Sequence, residues 1–231
     1  MEQMKTVYLA IVLAPLVGAV AAGFFGKLIG RVGAHLVTIA GVALSTGLSL
    51  YALRSLLQAK AAGAEYVFNE TLYTWAVTGG LSFQAGFLVD ELTVVMMSVV
   101  TFISLMVHIY TIGYMKDDPG YQRFFSYISL FTFAMLTLVM ANNLLQLFFG
   151  WEGVGVVSYL LIGFWFQKET AIYANLKAFL VNRVGDAAMV VGIAGIFYVF
   201  GSLDYDVIFG RLGELDGTTI EVLNGQPWSM A

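Results

Sequence analysis

Four formally charged side chains, Glu152, Lys177, Arg183 and Asp186, sit inside two stretches of sequence that are otherwise almost wholly apolar. An ionised group at the centre of a membrane helix costs about 2.5 to 3.5 kcal/mol on insertion scales, so each must face protein or water and find a partner. Carboxylates and cations confined together change one another's proton affinity, and a small change in their spacing can move a proton. That is the chemistry of a proton relay. Arg183 and Asp186 have the spacing that pairs side chains on one helix face. Lys177 lies about 9 Å earlier along the same helix axis, so the three charges form a slanted ladder. Glu152 has no basic residue within reach in its own stretch, which favours a functional role for it. His108, in a third apolar stretch, titrates near neutrality and can join a relay. The structural readings beside these are a static ion pair for Arg183 and Asp186, snorkelling toward the membrane surface for Lys177, and a hydrogen-bonded packing histidine for His108.

The elements that must hold these groups are membrane helices. Of the 231 residues, 59% are hydrophobic and 11% charged, where a soluble domain carries about a quarter charged residues. Spanning a hydrocarbon core about 30 Å thick takes roughly 20 mostly apolar residues. Windows of that kind run from Val7 to Phe25, Ala34 to Leu53, Leu92 to Tyr114, Phe124 to Ala141, Leu144 to Gln167 and Thr170 to Phe200. The expected architecture is therefore all-α: a polytopic transmembrane bundle of about six spans over residues 1–200. The last two spans are antiparallel about a turn near Lys168. That turn sets Glu152 level with position 184 or 185, about 23 Å from the turn and past mid-bilayer.

Short loops rich in Lys and Arg face the cytoplasm. Lys27 and Arg31, Lys116 and Arg123, and Lys168 mark three such loops. The loop 54–91 and the segment 201–231 then face outside with Glu65, Glu70, Asp204, Asp206, Glu214, Asp216 and Glu221. In the outer loop, Val77, Leu81 and Phe83 alternate with Ser82 and Gln84 around Thr78-Gly79-Gly80, which predicts a small hairpin. Beyond Phe200, Tyr205, Ile208, Phe209, Leu212 and Leu215 recur at helical spacing, predicting a surface helix. Trp228 suits an interface position. Asp90 is placed to cap the third helix.

Other functions find no support. Eleven scattered basic residues and a net charge of -4 make no surface for nucleic acid. Without cysteine there is no thiolate ligand, and His35 and His108 alone make no metal site. No cofactor site is expected in this chain. Gly26 and Gly30 read as a small-residue helix contact, and Gly150, Gly153 and Gly155 as space for a helix or a file of water beside Glu152.

The run from Leu147 to Trp165, with Gly150-Trp151-Glu152-Gly153-Val154-Gly155 at its centre, resembles the antiporter-like core of subunit L, or mitochondrial chain 5, of NADH:quinone oxidoreductase (respiratory complex I). Lys177-Ala178-Phe179-Leu180-Val181-Asn182-Arg183-Val184-Gly185-Asp186 is similar to the next helix of that family, and Asp90 to Met115 to its third helix. The resemblance implies a non-redox, proton-translocating subunit whose glutamate at position 152 belongs to a proton half-channel. It places NAD, FMN, iron–sulfur clusters and quinone in partner subunits, and names as partners the lipid bilayer and the other membrane subunits of complex I. It implies a bacterial inner membrane, with the mitochondrial inner membrane the second choice. In the family this glutamate couples to a lysine on a seventh helix that lies beyond residue 231. An amino-terminal portion leading to that helix is therefore expected, with a short paralogue as the alternative. The same motifs fit the corresponding antiporter-like component of a multisubunit sodium/proton antiporter, and a truncated membrane scaffold or assembly protein is a third reading.

Overall fold

The structure is a computed structural model that describes residues 2–78, 81–215, 219–223 and 226–229. Six helices are long and apolar enough to cross a membrane: α1 (Glu2–Phe24), α2 (Gly26–Ala61), α3 (Glu91–Tyr114), α4 (Tyr121–Val139), α5 (Leu144–Ile162) and α6 (Glu169–Phe200). Strands β1 (Phe68–Thr78) and β2 (Leu81–Val89) form an antiparallel hairpin between α2 and α3. After α6 come the short helix α7 (Tyr205–Gly210), a 3-10 turn at Leu212–Leu215, and a second hairpin of β3 (Thr219–Leu223) and β4 (Gln226–Ser229).

Departures from the sequence expectations have local causes. Helix α2 continues to Ala61, beyond its apolar window, because Arg54, Gln58 and Lys60 carry the helix out of the hydrocarbon on good helix formers. Helix α5 stops at Ile162 instead of reaching Gln167, and turn residues occupy 163–167. Gly30 makes no packing contact. It sits at φ 67 and ψ -173 and breaks α2, a conformation open to glycine alone at low cost. The surface helix is short, and only Ile208 of its apolar residues is buried. Segment 201–231, expected as an external amphipathic segment, includes the β3–β4 hairpin. The glycine turn at 79–80 and Asp216 lie outside the described residues, and of Trp228 only the backbone is described.

Helices α1 to α4 make the core. Pro15, inside α1, has no N–H to give to the Ile11 carbonyl one turn earlier, and hydrocarbon offers that oxygen no water. Ser45 of α2 donates its hydroxyl to Ile11 O at 2.7 Å, and Ser129 of α4 donates to Pro15 O at 2.8 Å. The acceptor that the proline frees in α1 is thus satisfied by its neighbour. Gly41 permits this approach, since a Cβ there would come within 2.6 Å of Ala14 O. Other buried hydroxyls close on their own helices: Thr38 on Ala34 O, Thr46 on Val42 O, Thr101 on Met97 O and Thr132 on Ile128 O.

The first hairpin lies over one end of the bundle. Phe87 and Val89 are buried against Tyr8, Leu136 and Met140, and Leu88 N–H donates to Met140 O at 3.1 Å. Gln146 Oε1 accepts the Gly86 N–H at 2.8 Å, while Asn143 caps α5 by accepting Gln146 N–H at 2.8 Å. Asp90 caps α3 as expected, accepting Thr93 N–H at 2.8 Å.

Candidate proton-relay site

Helices α5 and α6 bring Glu152, Arg183 and Asp186 together. Arg183 Nη1 donates to Glu152 Oε1 at 2.7 Å and stands 3.5 Å from Asp186 Oδ2. Trp151 donates its indole N–H to Asp186 Oδ1 at 2.8 Å, and the guanidinium lies 5.1 Å from the centre of the Phe179 ring. The level predicted for Glu152's partner, position 184 or 185, is thus met within a residue or two. Counted along α5, Glu152 sits about 15 Å from the helix end at Ile162; counted along α6, Arg183 sits about 21 Å from Glu169.

The carboxylates are more sheltered than the cation: side-chain exposure is 23% for Glu152 and 10% for Asp186, against 48% for Arg183. One guanidinium therefore serves two carboxylates. A cavity of about 70 Å³ adjoins Arg183 and Asp186 and is lined as well by Gly155, Ser158, Tyr159 and Asn182. That volume admits a few water molecules, and Ser158 and Asn182 supply polar partners for them.

The glycines divide their work differently from the sequence reading. Gly150 faces α4, where a Cβ would come within 2.6 Å of Leu138 Cα, and Gly153 faces Ala134. Gly155 alone of the three lines the cavity. Lys177 is exposed, and among the described residues it has no ion pair with the cluster; six residues of helix rotate it well away from Arg183. His108 is fully buried in α3 and takes no part in the α5–α6 cluster. Its Nδ1–H donates to Ser104 O at 2.8 Å, Ser104 Oγ and Thr132 Oγ1 are 2.5 Å apart, and Nε2 has no partner among the described residues.

Trp151, Ser158 and Asn182 escaped sequence reasoning. The signal for Trp151 was faint: an indole N–H in hydrocarbon needs an acceptor, but belt and packing tryptophans are common enough to mask one that has found a carboxylate. Among the described residues no group of three or more His, Asp or Glu is placed to hold a metal ion.

Residues 75–125 match the family described as NADH-Ubiquinone oxidoreductase (complex I), chain 5 N-terminus, and residues 141–224 match NADH:quinone oxidoreductase/Mrp antiporter, TM. NADH-quinone oxidoreductase subunit L of Neisseria meningitidis serogroup A is 57% identical over 227 residues, covering 97% of this chain and 33% of that protein. NADH-ubiquinone oxidoreductase chain 5 of Arabidopsis thaliana is 48% identical over 202 residues, covering 87% of this chain and 29% of its own length. The fold is shared with a chain of the membrane-bound sulfane sulfur reductase, an archaeal respiratory membrane complex, at a TM-score of 0.70 and 18% identity over 88% of this chain and 30% of that one. The chain spans about a third of the length of the curated relatives it matches. Both family matches and the high identity across nearly the whole sequence lead to one assignment: the chain belongs to the subunit L/chain 5 family of antiporter-like membrane subunits of complex I.

Proposed function

We propose that this chain is part of a non-redox, proton-translocating subunit of NADH:quinone oxidoreductase, with Glu152 as the switching carboxylate. The observation that carries the reading is Arg183, poised 2.7 Å from Glu152 and 3.5 Å from Asp186 between two membrane-spanning helices. An arginine keeps its charge throughout, so the group that changes state is a carboxylate. When the guanidinium moves toward Asp186, Glu152 is left without its counter-charge and takes up an excess proton delivered to it as hydronium; on return of the guanidinium, the carboxyl releases that proton to water. Trp151 keeps Asp186 oriented during the exchange. Lys177 supplies a charge about 9 Å nearer the cytoplasmic side, and His108 a second titratable group in the interior.

In this reading the chain works in a bacterial inner membrane, its basic loops cytoplasmic. NAD, FMN, iron–sulfur clusters and quinone reside in partner subunits. The second family match names a Mrp antiporter as well as the oxidoreductase, so the corresponding antiporter-like component of a multisubunit sodium/proton antiporter is the second reading. Copurification with flavin and iron–sulfur subunits supports the first, and sodium-dependent transport the second.

The test is Glu152→Gln in the full-length assembled complex. Proton pumping per NADH oxidised should fall markedly while assembly is retained. Unchanged pumping with normal assembly would sink the relay, and failed assembly would make Glu152 a structural partner of Arg183.

A further inference from the structure

At the end of the bundle opposite the first hairpin, the ends of α1, α2, α4 and α5 surround a cavity of about 1140 Å³. Three cations from three different elements line it: Lys27 in the turn before the α2 break, Arg123 in the first turn of α4, and Lys168 ahead of α6. Arg123 is held firmly. Its Nη2 donates to Phe164 O at 3.1 Å, and its guanidinium lies 4.5 Å from the Phe164 ring centre and 5.3 Å from that of Phe166. Yet its Nε–H is buried without an acceptor among the described residues.

The acid on the wall offsets these charges only in part, one carboxylate against three cations. Asp118 Oδ1 accepts the Gly120 N–H at 2.7 Å and Oδ2 accepts the Trp165 indole N–H at 2.9 Å, so both oxygens are occupied. Burial alone would raise the Asp118 carboxyl, but those two donors with Arg123 and Arg31 outweigh it and hold it below the usual carboxylate value. Lys168 rests 4.8 Å from the Trp165 ring centre, and Lys27 has no partner among the described residues. At the rim, Phe24 is 83% and Leu28 84% exposed. An apolar rim beside a cationic floor at a membrane boundary fits an amphiphile with an anionic head better than a free ion.

We infer that this cavity binds the phosphodiester headgroup of an anionic phospholipid, with the Arg123 guanidinium and the Lys27 ammonium as its cations and Trp165 and Phe166 against the glycerol and first methylenes. The site is independent of Glu152 and stands or falls separately from the proton relay.

The full-length complex is reconstituted in phosphatidylcholine vesicles. They contain a small fraction of either phosphatidylglycerol or phosphatidylcholine with a photoactivatable diazirine in the acyl chain, and adducts are mapped by peptide mass spectrometry. Peptides carrying 24–28 and 164–168 should label preferentially with the anionic probe. Lys27→Gln, which removes no protein contact, should lower that labelling about fivefold, the change that corresponds to about 1 kcal/mol per cation near an anionic headgroup. Arg123→Gln should lower it as well, with assembly verified on a native gel, and labelling by the phosphatidylcholine probe should not change. Four outcomes overturn the inference. They are equal labelling by the two probes, anionic labelling indifferent to Lys27→Gln, its displacement by inorganic phosphate, and crosslinks at these peptides to another subunit that fills the cavity.

Discussion

Helices α1 to α4 and the pair α5–α6 solve the same problem, a polypeptide in hydrocarbon, in opposite ways. In the first group 33% to 39% of each helix's most apolar window is buried inside the chain; in α5 it is 17% and in α6 11%. The tightly packed group holds no charge within its apolar windows, and several of its hydroxyls close on backbone carbonyls, including the one that Pro15 frees. The thinly packed pair carries all four mid-membrane charges. Neutral hydroxyls bonded to backbone carbonyls have one arrangement, whereas a cation placed between two carboxylates offers two. The contrast assigns stability to one half and the proposed charge movement to the other.

The sharpest way to break this division is to perturb the seam between the halves. Gly150→Val forces a side chain against the Leu138 backbone. Its cost should reach the top of the ~1–3 kcal/mol range for overpacking or exceed it, read as a collapse in the yield of assembled complex. If Gly150→Val assembles normally, α5 is not seated on α4 as described. Trp151→Phe removes the indole donor to Asp186 while keeping an aromatic ring. A hydrogen bond to a charged group contributes about 1.5 to 3 kcal/mol, and the lower figure is expected because Arg183 remains. The midpoint of a detergent-denaturation titration should shift accordingly. Ser45→Ala leaves Ile11 O without its donor, and hydrogen bonds between membrane helices average about 0.6 kcal/mol, so its shift should be smaller. Smallest of all, Lys177→Gln should change stability by less than about 0.5 kcal/mol because its side chain is exposed and outside the cluster. A fall in pumping in that variant would then report proton delivery alone, and a large loss of stability would return Lys177 to the packed structure.

How legible all this was in the sequence depended on the range of the forces involved. The six spans follow from composition, because hydrocarbon imposes a length and an apolarity on any helix that crosses it. The pairing of Glu152 with Arg183 followed from counting across a short turn. The end of α5 at Ile162 did not, because a glycine in an apolar run carries no sign of whether it continues a helix or caps it. Gly30 shows the same ambiguity, read as packing but found as a break. Trp151's bond to Asp186 and the uncompleted Arg123 depend on side chains from separate helices, a relation that spacing within one segment cannot express. Lys177 and Arg183 share a helix but not a face, so axial distance alone overstated their connection.

In the proposed relay the Glu152 carboxyl changes protonation as the complex turns over, and infrared difference spectroscopy observes that event directly. The spectrum of the full-length complex oxidising NADH, minus that of the resting complex, should contain a carboxylic acid C=O band that disappears in Glu152→Gln and shifts in Glu152→Asp. Difference spectra that are identical in the carboxyl region for the native chain and Glu152→Gln, both assembled and oxidising NADH, would contradict the account and leave Glu152 and Arg183 a static ion pair.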